Sequence, residues 1–198
     1  NVTGDPSYIT KVRDWASVLD RHYWSDEFSG YYLAADDTAD LIVRPLNAQD
    51  EATPNANGVM ISNLVALYLW TGEERYLSRA ERMAKTFSSA AIENIFAHSS
   101  LLGGVLDLLA PAHIVIVVPH GANAVPLRQA LSQVSLPGAV VQEIGEANEV
   151  PTNSPAHGKT AIGGKATAYV CVGPQCSAPV TEPSALIETV KSARRASL

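Results

Sequence analysis

The stretch that most constrains the fold runs from Asn55 to Thr71. Its Val59, Met60, Ile61, Leu64, Val65, Leu67, Leu69 and Trp70 would cover every face of a helix. A helix with no polar face is buried on all sides, so the rest of the fold must be built around it. Asn55 or Asn57 can cap its start, and Gly72 is its stop. Glu73 and Glu74 then open a second helix, favourably placed for its dipole. There Tyr76, Leu77, Ala80, Met83, Ala84 and Phe87 form one stripe, while Arg75, Arg79, Glu81, Arg82 and Lys85 are polar. A fully buried helix is thus joined by a tight turn to a half-exposed one.

Residues 7–24 read as an amphipathic helix, with Tyr8, Val12, Trp15, Leu19 and Tyr23 at three- and four-residue steps. Gly30–Leu33 and Leu41–Val43 read as two short extended pieces around an acidic turn, Asp36-Asp37, and a further helix spans roughly Asn94 to Leu109, closed by Pro111. From Ile114 the character changes. Ile114–Val118 is a continuous β-branched run, as in a buried strand, followed by a helix over 124–134 and a second strand over Ala139–Ile144. Residues 145–166 form a long loop, Thr167–Val172 a third strand and Glu182–Arg195 a last helix. A crossover from the first strand to the second makes them parallel. The inner/outer helix pairing is the repeating unit of an α/α toroid. The expected class is therefore mainly α: hairpins of a partial (α/α)6 toroid over 1–111, then a small βαββα unit over 112–198.

The 198 residues carry a net charge of −6 and no basic block longer than Arg194-Arg195, which argues against nucleic acid or an anionic membrane as partner. The longest apolar run, Leu64–Trp70, is too short to span a bilayer. No signal peptide is visible, and the start at Asn1 without Met reads as a processed product or fragment. Asn1-Val2-Thr3 matches a glycosylation sequon only formally. Two cysteines in the whole chain suit a reducing compartment, so a cytoplasmic location is expected.

Polar groups crowd the approach to the buried helix. Asp40, Arg44, Asp50, Thr53, Asn55 and Asn57 fall within one short stretch, and such crowding at the mouth of a buried helix is how a pocket is built. Here the chain resembles the C-terminal part of the spermatogenesis-associated protein 20-like family. These are thioredoxin-domain-containing proteins with an N-terminal thioredoxin-like domain and an α/α toroid. Four segments carry the resemblance: Gly30-Tyr31-Tyr32 with Asp36-Asp37; Asp40 through Pro45; Asp50 through Asn57; and Ala168-Tyr169-Val170-Cys171 with Cys176, Pro179, Val180 and Thr181. Glu51, Asn55 and Ala56 depart from the family's loop pattern. The resemblance implies that the thioredoxin-like domain lies outside this chain. It also implies a toroid of many more helices, so the chain is expected to pack against the remainder of its own polypeptide or a copy of itself.

Related toroids include sugar epimerases and glycoside hydrolases, with sites at the start of inner helices. On that footing Asp40 and Asp50 are the candidate acid and base, with Arg44, Thr53, Asn55 and Asn57 binding a small sugar. The expected function is a carbohydrate-active pocket, hydrolase or epimerase-like. The alternative is a non-catalytic scaffold that supports the thioredoxin-like domain, in which Asp50 and Asn55 cap helices and Arg44 pairs with Asp40. No cofactor and no metal are expected: His22, His98, His113, His120 and His157 are scattered, none at a metal-ligand spacing. Cys171 and Cys176 have four residues between them. That is not the spacing of a redox or zinc pair, yet a disulfide across Gly173-Pro174 is possible, and so are two idle thiols or a redox exchange with the thioredoxin-like domain. Gly158-Lys159-Thr160 resembles the end of a phosphate loop but lacks its leading Gly and precedes a strand, which excludes nucleotide binding there.

Overall fold

The computed structural model describes residues 7–145 and 150–196, with the side chains of 194–196 excepted. The sequon at Asn1 and the Arg194-Arg195 side chains lie outside what is described. The chain divides into two compact units. One takes in residues 7–67 and 74–108, the other 68–73 and 109–196.

The first unit is built round α2 (Ala56–Thr71). Ile61 and Leu64 are wholly buried, although Val59 is 41% exposed, so burial is not complete on every face. Two glycines explain how closely α4 (Ser99–Leu109) crosses it. A Cβ on Gly58 would fall 2.6 Å from the Leu101 amide nitrogen, and one on Gly104 2.7 Å from the Gly58 carbonyl. The Ser62 hydroxyl donates to Asp107 at 2.6 Å and ties the same pair. The outer helix α3 (Glu74–Glu93) buries Tyr76, Ala80, Met83, Phe87 and Ala91, the stripe its periodicity predicts with one turn added. A short 3-10 turn (Ile95–His98), capped by the Asn94 side chain, precedes α4 where the sequence predicted one continuous helix.

The expected stripe of α1 (Ser7–His22) is displaced. Trp15 is 66% exposed, and Ala16 takes the inner position. The reason is polar: Asp20, on the inner side, accepts from the Tyr31 hydroxyl at 2.7 Å and pairs with Arg79. Of the two expected extended pieces, the first forms a strand and the second does not. β2 (Gly30–Tyr31) pairs antiparallel with β1 (Trp24–Ser25), while Leu41–Val43 is not a strand and lies exposed.

The second unit is a four-stranded sheet in the order β4-β3-β5-β6, formed by β3 (Ala112–Val117), β4 (Val140–Ile144), β5 (Thr167–Val172) and β6 (Gln175–Cys176). β3 and β4 are parallel; β5 runs antiparallel to β3, and β6 to β5. Side chains alternate between the faces. Ile114, Ile116, Ala168 and Val170 pack with Leu127 of α5 (Val125–Leu131) and Leu186 and Val190 of α6 (Pro183–Ala196). Val115, Val117 and Ile144 on the other face pack with Ala156, and Val150 and Ala161 pack against the cluster.

The mainly α class is therefore overturned. The described residues form two sheets with six strands alongside the helices, a mixed α/β protein. The sheet carries a core of its own on each face and is not an appendage to helical hairpins. The β1–β2 hairpin adds strand to the helical unit as well.

Candidate functional site

The 40–57 stretch is held by its own polar side chains. Asn55 caps α2: its Oδ1 accepts from the Asn57 amide at 2.9 Å, and its Nδ2 donates to Asn47 Oδ1 at 2.8 Å and to the Gln49 carbonyl at 3.0 Å. Asp50 Oδ1 accepts from the Asn55 amide at 2.8 Å and from the Ser100 hydroxyl, and Oδ2 accepts from the Ser100 amide at 2.8 Å. It thus satisfies an orphan N–H in the first turn of α4 from outside that helix. Burial pushes the Asp50 carboxyl up, but the hydrogen bonds from Ser100 and Asn55 outweigh this and hold it below the ordinary carboxylate range.

Asn57 is wholly buried and cross-links three strands of chain. Its Oδ1 accepts from the Tyr31 amide, and its Nδ2 donates to the carbonyls of Tyr31 and Asn47, each at 2.8 Å. Arg44 donates to the carbonyls of Ala34 at 3.1 Å and His22 at 2.7 Å, with its guanidinium 4.2 Å from the Tyr32 ring centre. It caps the end of α1 and does not pair with Asp40. Asp40 and Thr53 are exposed, Asp40 on left-handed backbone at φ 64; among the described residues no hydrogen bond or ion pair reaches either side chain.

The geometry therefore brings Asp50, Asn55 and Asn57 into one network with Asn47, Ser100 and Tyr31. Sequence reading missed those three partners, since two of them lie 26 and 50 residues away along the chain. Asp40, Arg44 and Thr53 are not in that network.

His22 with Asp36 and Asp37 places three donor groups within 4.8 Å of one another. The His22 ring already bonds Asp36 at 2.8 Å, which holds the Asp36 carboxyl below its ordinary range, and the Arg44 charge adds to that effect. A resident guanidinium beside the carboxylates works against a cation. Lys159, the phosphate-loop lookalike, donates to the Pro155 carbonyl at 2.7 Å. Cys171 and Cys176 are joined in a disulfide, so both cysteines of the chain are spoken for and their small number carries no argument about compartment. Among the described residues no helix is long and apolar enough to cross a membrane.

No protein-family model matches the chain. It is 24% identical over 185 residues to uncharacterized protein B0495.5 of Caenorhabditis elegans, covering 89% of this chain and 24% of that protein. It is 25% identical over 183 residues to human spermatogenesis-associated protein 20, covering 87% of this chain and 23% of that protein. The chain is thus a distant relative of spermatogenesis-associated protein 20, and it spans about a quarter of the length of these curated relatives.

Proposed function

We propose that the chain is a non-catalytic scaffold module of a longer polypeptide, one that supports a thioredoxin-like domain carried elsewhere in that polypeptide. The observation that carries this reading is Asp50. A general acid or base must face its substrate with a free oxygen at hydrogen-bond distance. Both Asp50 oxygens accept bonds from Asn55 and Ser100 instead. Asn55 and Asn57, proposed above as sugar ligands, are buried and use their amides on backbone and on Asn47. The carbohydrate-active reading is left with Asp40, Thr53 and Arg44, and the last of these caps a helix.

A second observation supports a covered surface. Ile92, Ile95, Phe96, Leu102 and Leu106, at the end of α3, in the 3-10 turn and along α4, are all exposed, Phe96 by 88%. Exposed apolar side chains that form a contiguous patch mark an interaction surface. The rest of the polypeptide is the natural cover, since the relatives are about four times longer than the matched segment.

The test is a thermal-shift screen of the full chain against mono- and disaccharides, with Asp50→Asn beside it. The scaffold reading expects no sugar to shift the wild type, and a lower melting temperature for Asp50→Asn. A sugar that stabilises the wild type and not the variant would overturn it.

A further inference from the structure

A row of residues crosses the four-stranded sheet, each the register partner of the next: Val140 on β4, His113 on β3, Cys171 on β5 and Cys176 on β6. Residues directly opposite on antiparallel strands share a face, with Cβ atoms about 4.5–5.5 Å apart. His113 and Cys171 are such a pair, and so are Cys171 and Cys176.

His113 is buried on this face, at 2% exposure. Its Nε2 lies 3.0 Å from Gln142 Oε1, so Nε2 carries the hydrogen and donates. Nδ1 then bears a lone pair. It is the one buried side-chain nitrogen or oxygen among the described residues that has no partner. Burial also pushes the imidazole pKa down to about 4, so at neutral pH the ring is an uncharged acceptor. A buried acceptor left unbonded is costly. The disulfide beside it has no hydrogen to give, whereas a Cys171 thiol has one.

We propose that Cys171–Cys176 is a reversible dithiol/disulfide couple, opened by an incoming dithiol at the exposed Cys176 sulfur, and that His113 Nδ1 accepts the Cys171 thiol hydrogen in the reduced state. Access selects the sulfur: Cys176 is exposed and Cys171 is 6% exposed. The attacking thiolate bonds to Cys176 Sγ as the intramolecular S–S bond breaks, and Cys171 leaves as a thiolate. Cys171 takes up the proton lost by the second thiol of the dithiol. That second sulfur then attacks the mixed disulfide, and Cys176 leaves and takes a proton from water. Two electrons and two protons pass to this chain, and the dithiol is oxidised to a disulfide. His113 is a positioning residue here. The couple does not depend on the scaffold reading, because none of its residues belongs to the 40–57 network.

The test equilibrates the full chain with graded ratios of reduced to oxidised dithiothreitol, reading free thiols by alkylation, for wild type and His113→Leu. The ¹⁵N resonance of His113 Nδ1 is followed in oxidised and reduced wild type and in Cys176→Ser, whose Cys171 stays a thiol. Reversible reduction of the folded chain is expected. The equilibrium constant for reduction should fall about fivefold in His113→Leu, the size of one ordinary hydrogen bond. The Nδ1 resonance should move upfield on reduction and sit at the same place in Cys176→Ser. A disulfide that opens only when the chain unfolds would overturn the proposal, and so would an unmoved Nδ1 resonance. An equilibrium constant within twofold of wild type in His113→Leu would overturn it too. Should His113→Leu fail to fold, the resonance in wild type and Cys176→Ser decides.

Discussion

Asp50 receives the amides of Asn55 and Ser100 and the Ser100 hydroxyl, and these bonds are stronger to a carboxylate than to its acid. Its folded-state pKa is depressed, so the stability it contributes is fully present above the unfolded value and is lost as pH falls through the folded one. We expect chemical-denaturation stability to decline below about pH 4, and Asp50→Asn to flatten that decline while lowering stability at pH 7. An equally steep acid decline in the variant would place its origin elsewhere. Asn57 is the sharper structural case. Asn57→Ala strands the amide and carbonyl of Tyr31 and the carbonyl of Asn47, all satisfied by that one side chain. A loss of about 3 kcal/mol follows, readable as a melting temperature lower by roughly 6–12 °C. At this scale the sequence was half legible. Asn before a helix announces a cap, as Asn55 is, because capping is local chemistry. The partners that turn Asp50 and Asn57 into cross-links are brought near by tertiary packing alone. His113 was named only as one of five scattered histidines and set aside. Reading the strand from Ile114 left it outside the β-branched run, although β3 begins at Ala112.

Helix limits were the best-read elements because apolar periodicity and stop signals are both written locally. Gly72, at φ 71, ends α2 in the left-handed conformation that glycine adopts without penalty. Strands of two residues carry no periodicity, so the pairing of Trp24–Ser25 with Gly30–Tyr31 left no pattern to find. Trp15 was assigned to the inner stripe by its three- and four-residue spacing, whereas the inner face of α1 is set by Asp20 and its ties to Tyr31 and Arg79. The α2–α4 crossing was hidden too, since Gly58 and Gly104 look like weak helix formers until the two backbones are seen to meet there. Their lack of a side chain is what permits the approach. Gly104→Ala should cost about 1–3 kcal/mol by overpacking against the Gly58 carbonyl and Ile61. Gly103→Ala, one residue away with open space before it, should be neutral or mildly stabilising through helix propensity. Equal denaturation midpoints for the two variants would contradict a close crossing.

For the molecule as a whole, class was misjudged by giving the helices the weight of the chain and the strands the status of a tail. A sheet with a buried cluster on each face, closed on one side by α5 and α6 and on the other by residues 150–161, is a structural unit in its own right. Exposed apolar side chains on the helical unit were expected in kind, but their address was not legible. Hydrophobicity alone cannot separate Leu101, buried at 1% exposure, from Leu106, exposed by 65%, on the same helix. That surface gives a prediction that separates covering from folding. Phe96 and Leu106 lose little packing when truncated, because both are already exposed. The double variant Phe96→Ser, Leu106→Ser should keep the melting temperature within about 2 °C of wild type, as surface changes do. Its self-association in sedimentation, and its binding of an apolar dye, should fall. On the proposed scaffold reading a longer polypeptide buries the two side chains against their cover, and there the same pair should instead lower stability, by about 1.5–3 kcal/mol each. A variant equally stable in both settings would mean that the face stays open in the longer polypeptide, and the scaffold would then have to meet its partner elsewhere.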